Sequence, residues 1–222
     1  MSINIVDWGL IPYASAYERQ KEWFETALQQ KTAQRPVTNR LILCEHPHVI
    51  TVGRHGLLSN LLFPETALKA KQVELYQVDR GGDITYHGPG QLVGYPILDL
   101  EYFRLGLKTY IYRVEEAIIQ TIAEYGLPGE RLAGATGVWL DAALPGKARK
   151  IAAIGVRSSR YVTMHGFALN VNTDLSYFRL MNPCGFTDKG VTSLQWELGR
   201  EAAMDEVKRS LIRHFKRLFS AE

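Results

Sequence analysis

Residues 137–171 read GVWLDAALPGKARKIAAIGVRSSRYVTMHGFALNV, and the order of elements in this stretch decides the fold class. Three β-rich runs follow one another: GVWLD at 137–141, KIAAIGV at 150–156 and YVTMHGFALNV at 161–171. The first two form a hairpin around LPGKAR, and nothing between the second and third is long enough for a crossover helix. Working outward, LILC at 41–44 and VITVG at 49–53 flank EHPH and read as two strands or as one strand interrupted at Pro47, VELYQV at 73–78 is another strand, and LVGYPILDL resumes a strand after Gln91. Helical spacing recurs in four places. Tyr17, Phe24, Ala27 and Leu28 mark a helix over 15–30, and a short helix starts at Pro64. Ile111, Val114, Ile118 and Ile122 form the stripe of a helix over 106–125 that Gly126 closes. Val207, Leu211, Phe215 and Leu218 are the inward residues of a helix over 203–219. Strands in consecutive groups, with a few helices between, give an α+β class with a mixed β-sheet and flanking helices. With no repeat, low-complexity tract or linker, residues 1–222 read as one domain.

The chain is 46% hydrophobic and 22% charged, as expected of a protein with a full core. It has no run of about 18 apolar residues, and MSINIVDWGL lacks the basic start of an export signal, so a cytoplasmic protein off the membrane is expected. A net charge of +3 is too mild for nucleic-acid binding. The basic tract KRSLIRHFKR (208–217) reads first as a solvated helix face with cations near its C-terminus. Two cysteines do not make a disulfide scaffold.

Cys184 in MNPCGF stands between Pro183, which fixes the chain, and Gly185, which lets a substrate come close to the backbone. That setting presents a thiol, although cysteine more often simply packs, as Cys44 at the end of LILC should. A thiol attacks as thiolate and needs a nearby cation or base. Lys147, Arg149 and Lys150 are the basic candidates, and composition does not rank them. Lys150 is favoured by the small-residue apolar strand that follows it, where partial desolvation would tune its amine. The glycine-rich stretch RGGDITYHGPGQ (80–91) offers backbone amides, with Arg80 and His87 to orient a carbonyl or phosphate, but it matches no nucleotide-binding template. Cys44, His46, His48 and His55 raise a metal reading that their spacing does not support, so no metal is expected. His165 in TMHGF reads as a hydrogen-bonded core or rim histidine.

RGGDITYHGPGQ, KIAAIGVR, VTMHGFALNV and PCGF followed by VTSL, in this order and spacing, resemble the octanoyltransferases of lipoate biosynthesis, as does EHPHVITVGR upstream. The resemblance implies a fold similar to biotin and lipoate protein ligases and a thioester mechanism without ATP, metal or other cofactor. Cys184 then matches the acyl-thioester nucleophile and Lys150 the catalytic lysine. Three segments match substrate-binding positions: Arg80, Gly81, Gly82, Asp83, Ile84, Thr85, Tyr86 and His87; Ala153, Ile154 and Gly155; Gly166, Phe167 and Ala168. Together they should form an apolar tunnel that measures acyl length, which a bulky residue at Gly155 would shorten. Phe186, Ser158 and Ser159 depart from the common pattern, where they would affect chain length or a lid. The implied donor is octanoyl-acyl carrier protein. The implied acceptors are the lipoyl domains of 2-oxoacid dehydrogenase complexes and the glycine cleavage H protein. The rivals are an ATP-dependent lipoate or biotin ligase, a metallohydrolase built on the histidines, and a non-catalytic binder of the same partners.

Overall fold

Pro12, with φ near −54°, launches the first long helix, and a stripe of Tyr13, Ala16, Gln20, Phe24 and Ala27 at spacings of three and four seats it on a sheet. A computed structural model describes residues 3–182 and 189–220 of the chain. In chain order the described elements are β1 (Asn4–Leu10), α1 (Tyr13–Thr32), β2 (Arg40–Glu45), β3 (Val49–Val52), α2 (Glu65–Ala70), β4 (Glu74–Gln77), β5 (Ile84–His87), β6 (Gln91–Ile97) and α3 (Leu107–Ala123). There follow β7 (Glu130–Leu132), β8 (Ala135–Leu140), β9 (Arg149–Ser159), β10 (Val162–Asn170), β11 (Gly190–Val191), α4 (Leu194–Leu198) and α5 (Met204–Leu218).

The main sheet has the order β1-β2-β6-β10-β9-β8-β7, with β11 paired to β9, and a second sheet has the order β4-β3-β5. β1 is parallel to β2 and β11 to β9, whereas the ladders from β2 through β6, β10, β9 and β8 to β7 are antiparallel, so the sheet is mixed. α1 covers one face over Ile42, Val93, Tyr95 and Ala168. The other face carries Leu41, Leu43, Leu92, Phe167 and Leu169, which pack with Val114, Ile118 and Ile122 of α3 and Val207, Leu211 and Phe215 of α5. Acidic Asp205 and Glu206 open α5 and basic Lys216 and Arg217 close it, matching the helix dipole as the basic tract implies.

The smaller sheet buries Ile50, Val52, Ile84 and Tyr86 against Leu68 of α2 and against Phe178 and Leu180 of a 3-10 helix over Leu175–Leu180. Several described elements carry too little pattern to read from sequence, the two-residue β11 among them. β1 is a half-exposed edge strand, β7 spans only Glu130–Leu132, and the 3-10 helix and α4 are short. α4 does have a local signal, since the Ser193 side chain accepts a hydrogen bond from Trp196 N and left-handed Gly199 ends the helix.

Candidate active site

A cavity of about 560 Å³ opens where β6, β9 and β10 of the main sheet meet the loop leading into β5, within the size range of small-molecule sites. It draws together the three segments expected from sequence: Arg80 to Thr85 with His87, Ala153 to Gly155, and Gly166 to Ala168 all border it, as does Lys150. Tyr86 is the exception. Its neighbours Thr85 and His87 border the cavity, but Tyr86 is buried in the apolar cluster of the smaller sheet and its hydroxyl meets His48 Nδ1 at 2.7 Å. Phe167 lies over Gly94, where a β-carbon would come within 2.1 Å of its ring, so only glycine fits beneath it.

Lys150 reaches the cavity through an irregularity in β9. Trp139 pairs with Lys150, and its neighbour Val138 pairs with Ala152, leaving Ile151 as an extra residue. Val138 and Ala152 pack on the α3 side, so Lys150, opposite Trp139, faces the other way and shares its face with Ala153. Ala153 in turn pairs with Ala168 of the α1-side core. The ammonium of Lys150 stands 4.6 Å from the centroid of the Trp139 ring, where the ring's quadrupole holds it. The other two basic candidates are elsewhere. Arg149 is bound by Asp141 and Glu197, and Lys147 is exposed in the turn.

Arg80 is buried and turned toward the scaffold. Its Nη2 donates to the carbonyl and hydroxyl of Thr51 at 2.8 and 2.9 Å, and Nη1 donates to the Gly81 carbonyl at 3.0 Å. Asp83 accepts from Asn60 Nδ2 at 2.7 Å and from Leu57 N at 3.3 Å, tying the same loop to a neighbouring one. A β-carbon at Gly155 would approach the Gly81 carbonyl to 2.8 Å and Arg80 Cδ to 3.1 Å, so the loop rests directly on β9.

Three buried histidines surround this loop, two of them missed as site residues by sequence reasoning. His46 donates from Nδ1 to the Ile11 carbonyl at 2.8 Å and accepts from the Tyr95 hydroxyl at 2.7 Å; burial pulls it down to about 4. His87 shares a 2.7 Å hydrogen bond between Nδ1 and Gln91 Oε1, and burial pulls it down to about 3. His165, at the cavity wall, has φ near +60°, a conformation rare outside glycine, and meets Asp79 Oδ1 through Nε2 at 2.8 Å. Burial lowers His165, while the His165 hydrogen bond, aided by Arg157, takes Asp79 down to about 2. The signal available in sequence was a polar residue inside an apolar run, as with His165 in VTMHGFALN, whereas Gln91 and Asn170 stand at strand ends.

Cys184, with Pro183, Gly185 and Phe186, lies outside the described residues. Cys44 is fully buried beside His46, and burial pushes its thiol up, an inert setting. His46, His48 and His55 do not converge, and among the described residues no group of three or more His, Cys, Asp or Glu could hold a metal ion. Ser158 and Ser159 line a second hollow with Arg54, His55 and Arg157 rather than the main cavity. No helix among the described residues is long and apolar enough to cross a membrane.

The lipoyl protein ligase A/B catalytic domain family matches residues 19–216. An octanoyltransferase from Bacteroides thetaiotaomicron is 60% identical over 211 residues, covering 95% of this chain and 92% of that protein. Among solved structures, a bipartite lipoate protein ligase from Thermoplasma acidophilum superposes with a TM-score of 0.74 at 16% identity, covering 98% of this chain and 84% of the other. The biotin protein ligase of Aquifex aeolicus gives 0.51 at 12% identity, covering 98% and 69%. These likenesses bear out the expected fold, and with the sequence match they show that the chain is an acyltransferase belonging to the octanoyltransferases of the lipoyl protein ligase A/B catalytic family.

Proposed function

We propose that the chain transfers an octanoyl or lipoyl group from acyl carrier protein to the amino group of a lysine on a lipoyl domain, through a thioester on Cys184. The supporting observation is the position of Lys150, which borders the cavity together with Lys189, Gly190 and Val191, the residues that follow the Cys184 segment in the chain. The acceptors are the lipoyl domains of 2-oxoacid dehydrogenase complexes and the glycine cleavage H protein.

In the first half the Cys184 thiolate attacks the donor thioester. A new carbon–sulfur bond forms, the donor's carbon–sulfur bond breaks, and protonated Lys150 returns the proton taken from Cys184 to the departing thiol. In the second half the acceptor amine attacks the acyl-enzyme. A carbon–nitrogen bond forms, the bond to Cys184 breaks, and neutral Lys150 takes the amine's proton. Backbone amides of the glycine-rich loop would stabilise the developing oxyanion, the Gly81 amide excepted, since it already donates to the Val156 carbonyl at 2.9 Å. A thioester is already activated, so the scheme uses neither ATP nor metal.

Incubation with octanoyl-acyl carrier protein, followed by peptide mass spectrometry, tests the scheme. The octanoyl mass should appear on Cys184 alone and disappear when a lipoyl domain is added. Label on Cys44, or on neither cysteine, removes the thioester intermediate. Transfer that requires free octanoate and ATP replaces the scheme with a ligase.

A further inference from the structure

The tautomer of His87 follows from a chain of hydrogen bonds that begins at two backbone carbonyls. Asn170 Nδ2 donates to the Thr192 carbonyl at 2.9 Å, and since a carbonyl only accepts, the amide is oriented with Oδ1 toward Gln91. Gln91 therefore presents its NH₂, which donates to Asn170 Oδ1 at 2.8 Å and to the Tyr86 carbonyl at 3.2 Å. Its Oε1 is left for His87, 2.7 Å from Nδ1. An amide oxygen accepts, so Nδ1 carries the proton and Nε2 is a bare lone pair. Asn170, Gln91 and His87 are all buried, and His87, Gln91 and Asn170 line the cavity. The Nε2 lone pair meets no hydrogen-bond donor among the described residues.

We propose that His87 Nε2 is the hydrogen-bond acceptor for the N–H of the attacking amine, and that Gln91 and Asn170 are positioning residues that hold His87 in the one tautomer able to do this. The assignment rests on the acyl-transfer reading above. The reacting atoms of a thioester donor bear no N–H, whereas an attacking primary amine brings N–H groups to the acyl carbon. Two further features select a neutral amine. The guanidinium of Arg80 repels an ammonium in the same cavity, and burial keeps His87 itself uncharged, held at about 3. His87 thus orients the amine without taking its proton, which leaves Lys150 as the proton acceptor. The same chain of bonds reaches β9, because Thr192 N donates to the Lys150 carbonyl at 3.0 Å, so the two groups are fixed to one framework.

Nitrogen-15 spectra of histidine-labelled protein read the tautomer in the unmodified chain. His87 should show a protonated Nδ1 and an unprotonated Nε2 at neutral pH; the reverse assignment overturns the proposal. The two half-reactions are then timed separately, with the octanoyl thioester of N-acetylcysteamine as donor and a lipoyl domain as acceptor. In His87→Ala, transfer to the domain should fall at least about tenfold further than acylation of the enzyme, roughly the weight of one well-made hydrogen bond at a reacting group. Gln91→Leu should shift His87 toward the Nε2-protonated form and reproduce a smaller part of the same selective loss. Equal losses in both halves, or no loss, overturn the amine role. If the unaltered enzyme acylates and transfers normally, such a result counts against His87 alone; if it never acylates, the thioester scheme and this inference fall together.

Discussion

Arg149 and Lys150 are adjacent in β9, yet one is consumed by Asp141 and Glu197 on the outside while the other stands over an indole at the cavity. Composition did not separate them, and the apolar strand after Lys150 together with the family likeness favoured it; the side-chain directions that distinguish them come from pairing partners distant in sequence. The glycine-rich segment borders the cavity, as its exposed amides suggested, but the direction of Arg80 was not legible, since its partner Thr51 lies on another strand. Gln91 and Asn170 look like ordinary polar residues until their burial is known. At this scale Lys150→Arg tests whether the site needs a charge or a proton carrier. Arginine keeps the charge and cannot release a proton, so alkylation of Cys184 should persist while transfer falls by about two orders of magnitude. Near-native transfer would make Lys150 a fixed cation, and Lys150→Ala with the thiol titrated directly separates this from misplacement of the larger head group.

Among the elements, the three consecutive strands within 137–171 were read correctly because their periods are short and their turns explicit, and they fold as β8, β9 and β10. β1 escaped notice because an edge strand with exposed and half-buried positions leaves no clean alternation. The contact between β9 and the Arg80 loop alters what a change at Gly155 should do. A side chain there was expected to shorten the acyl tunnel, but its first atom already meets the Gly81 carbonyl at 2.8 Å. Gly155→Ala should therefore displace the whole loop. Stability should drop by about 1–3 kcal/mol, seen as a melting temperature lower by roughly 2–4 °C per kcal/mol, and octanoyl and shorter chains should slow together. Faster transfer of shorter chains with an unchanged melting point would restore the tunnel-shortening account.

For the whole molecule, the fold class was legible and the way two sheets border a cavity was not, because that depends on contacts between the Arg80 loop and β9 that no local pattern encodes. The histidines gathered there set the response to acid. His46 and His87 are held at about 4 and about 3, against 6.5 for the free side chain, and His165 is also lowered. Below 6.5 the unfolded chain binds protons that the folded chain refuses, so their contribution is complete above that value and is lost as pH falls toward 4. Each buried histidine adds a slope of up to about 1.4 kcal/mol per pH unit in that window. Asp79, held at about 2 against 3.8, adds a later loss between those two values. Urea titrations at pH 7, 6 and 5 should show a progressive fall in unfolding free energy, and His46→Phe should flatten it. A constant value from pH 7 to 5 would mean that these rings are protonated in the fold.

The extra residue in β9 carries a genetic consequence. Because Ile151 has no partner opposite it in β8, gain of a single codon between Val138 and Trp139 would supply one, restore regular alternation along β9 and put the lysine on the α3 side with Ala152 while every named site residue stayed in the gene. Such an allele should make folded, inactive enzyme, and its suppressors should be one-codon deletions in the same strand, which bring the mismatch with β9 back, more often than substitutions at the cavity.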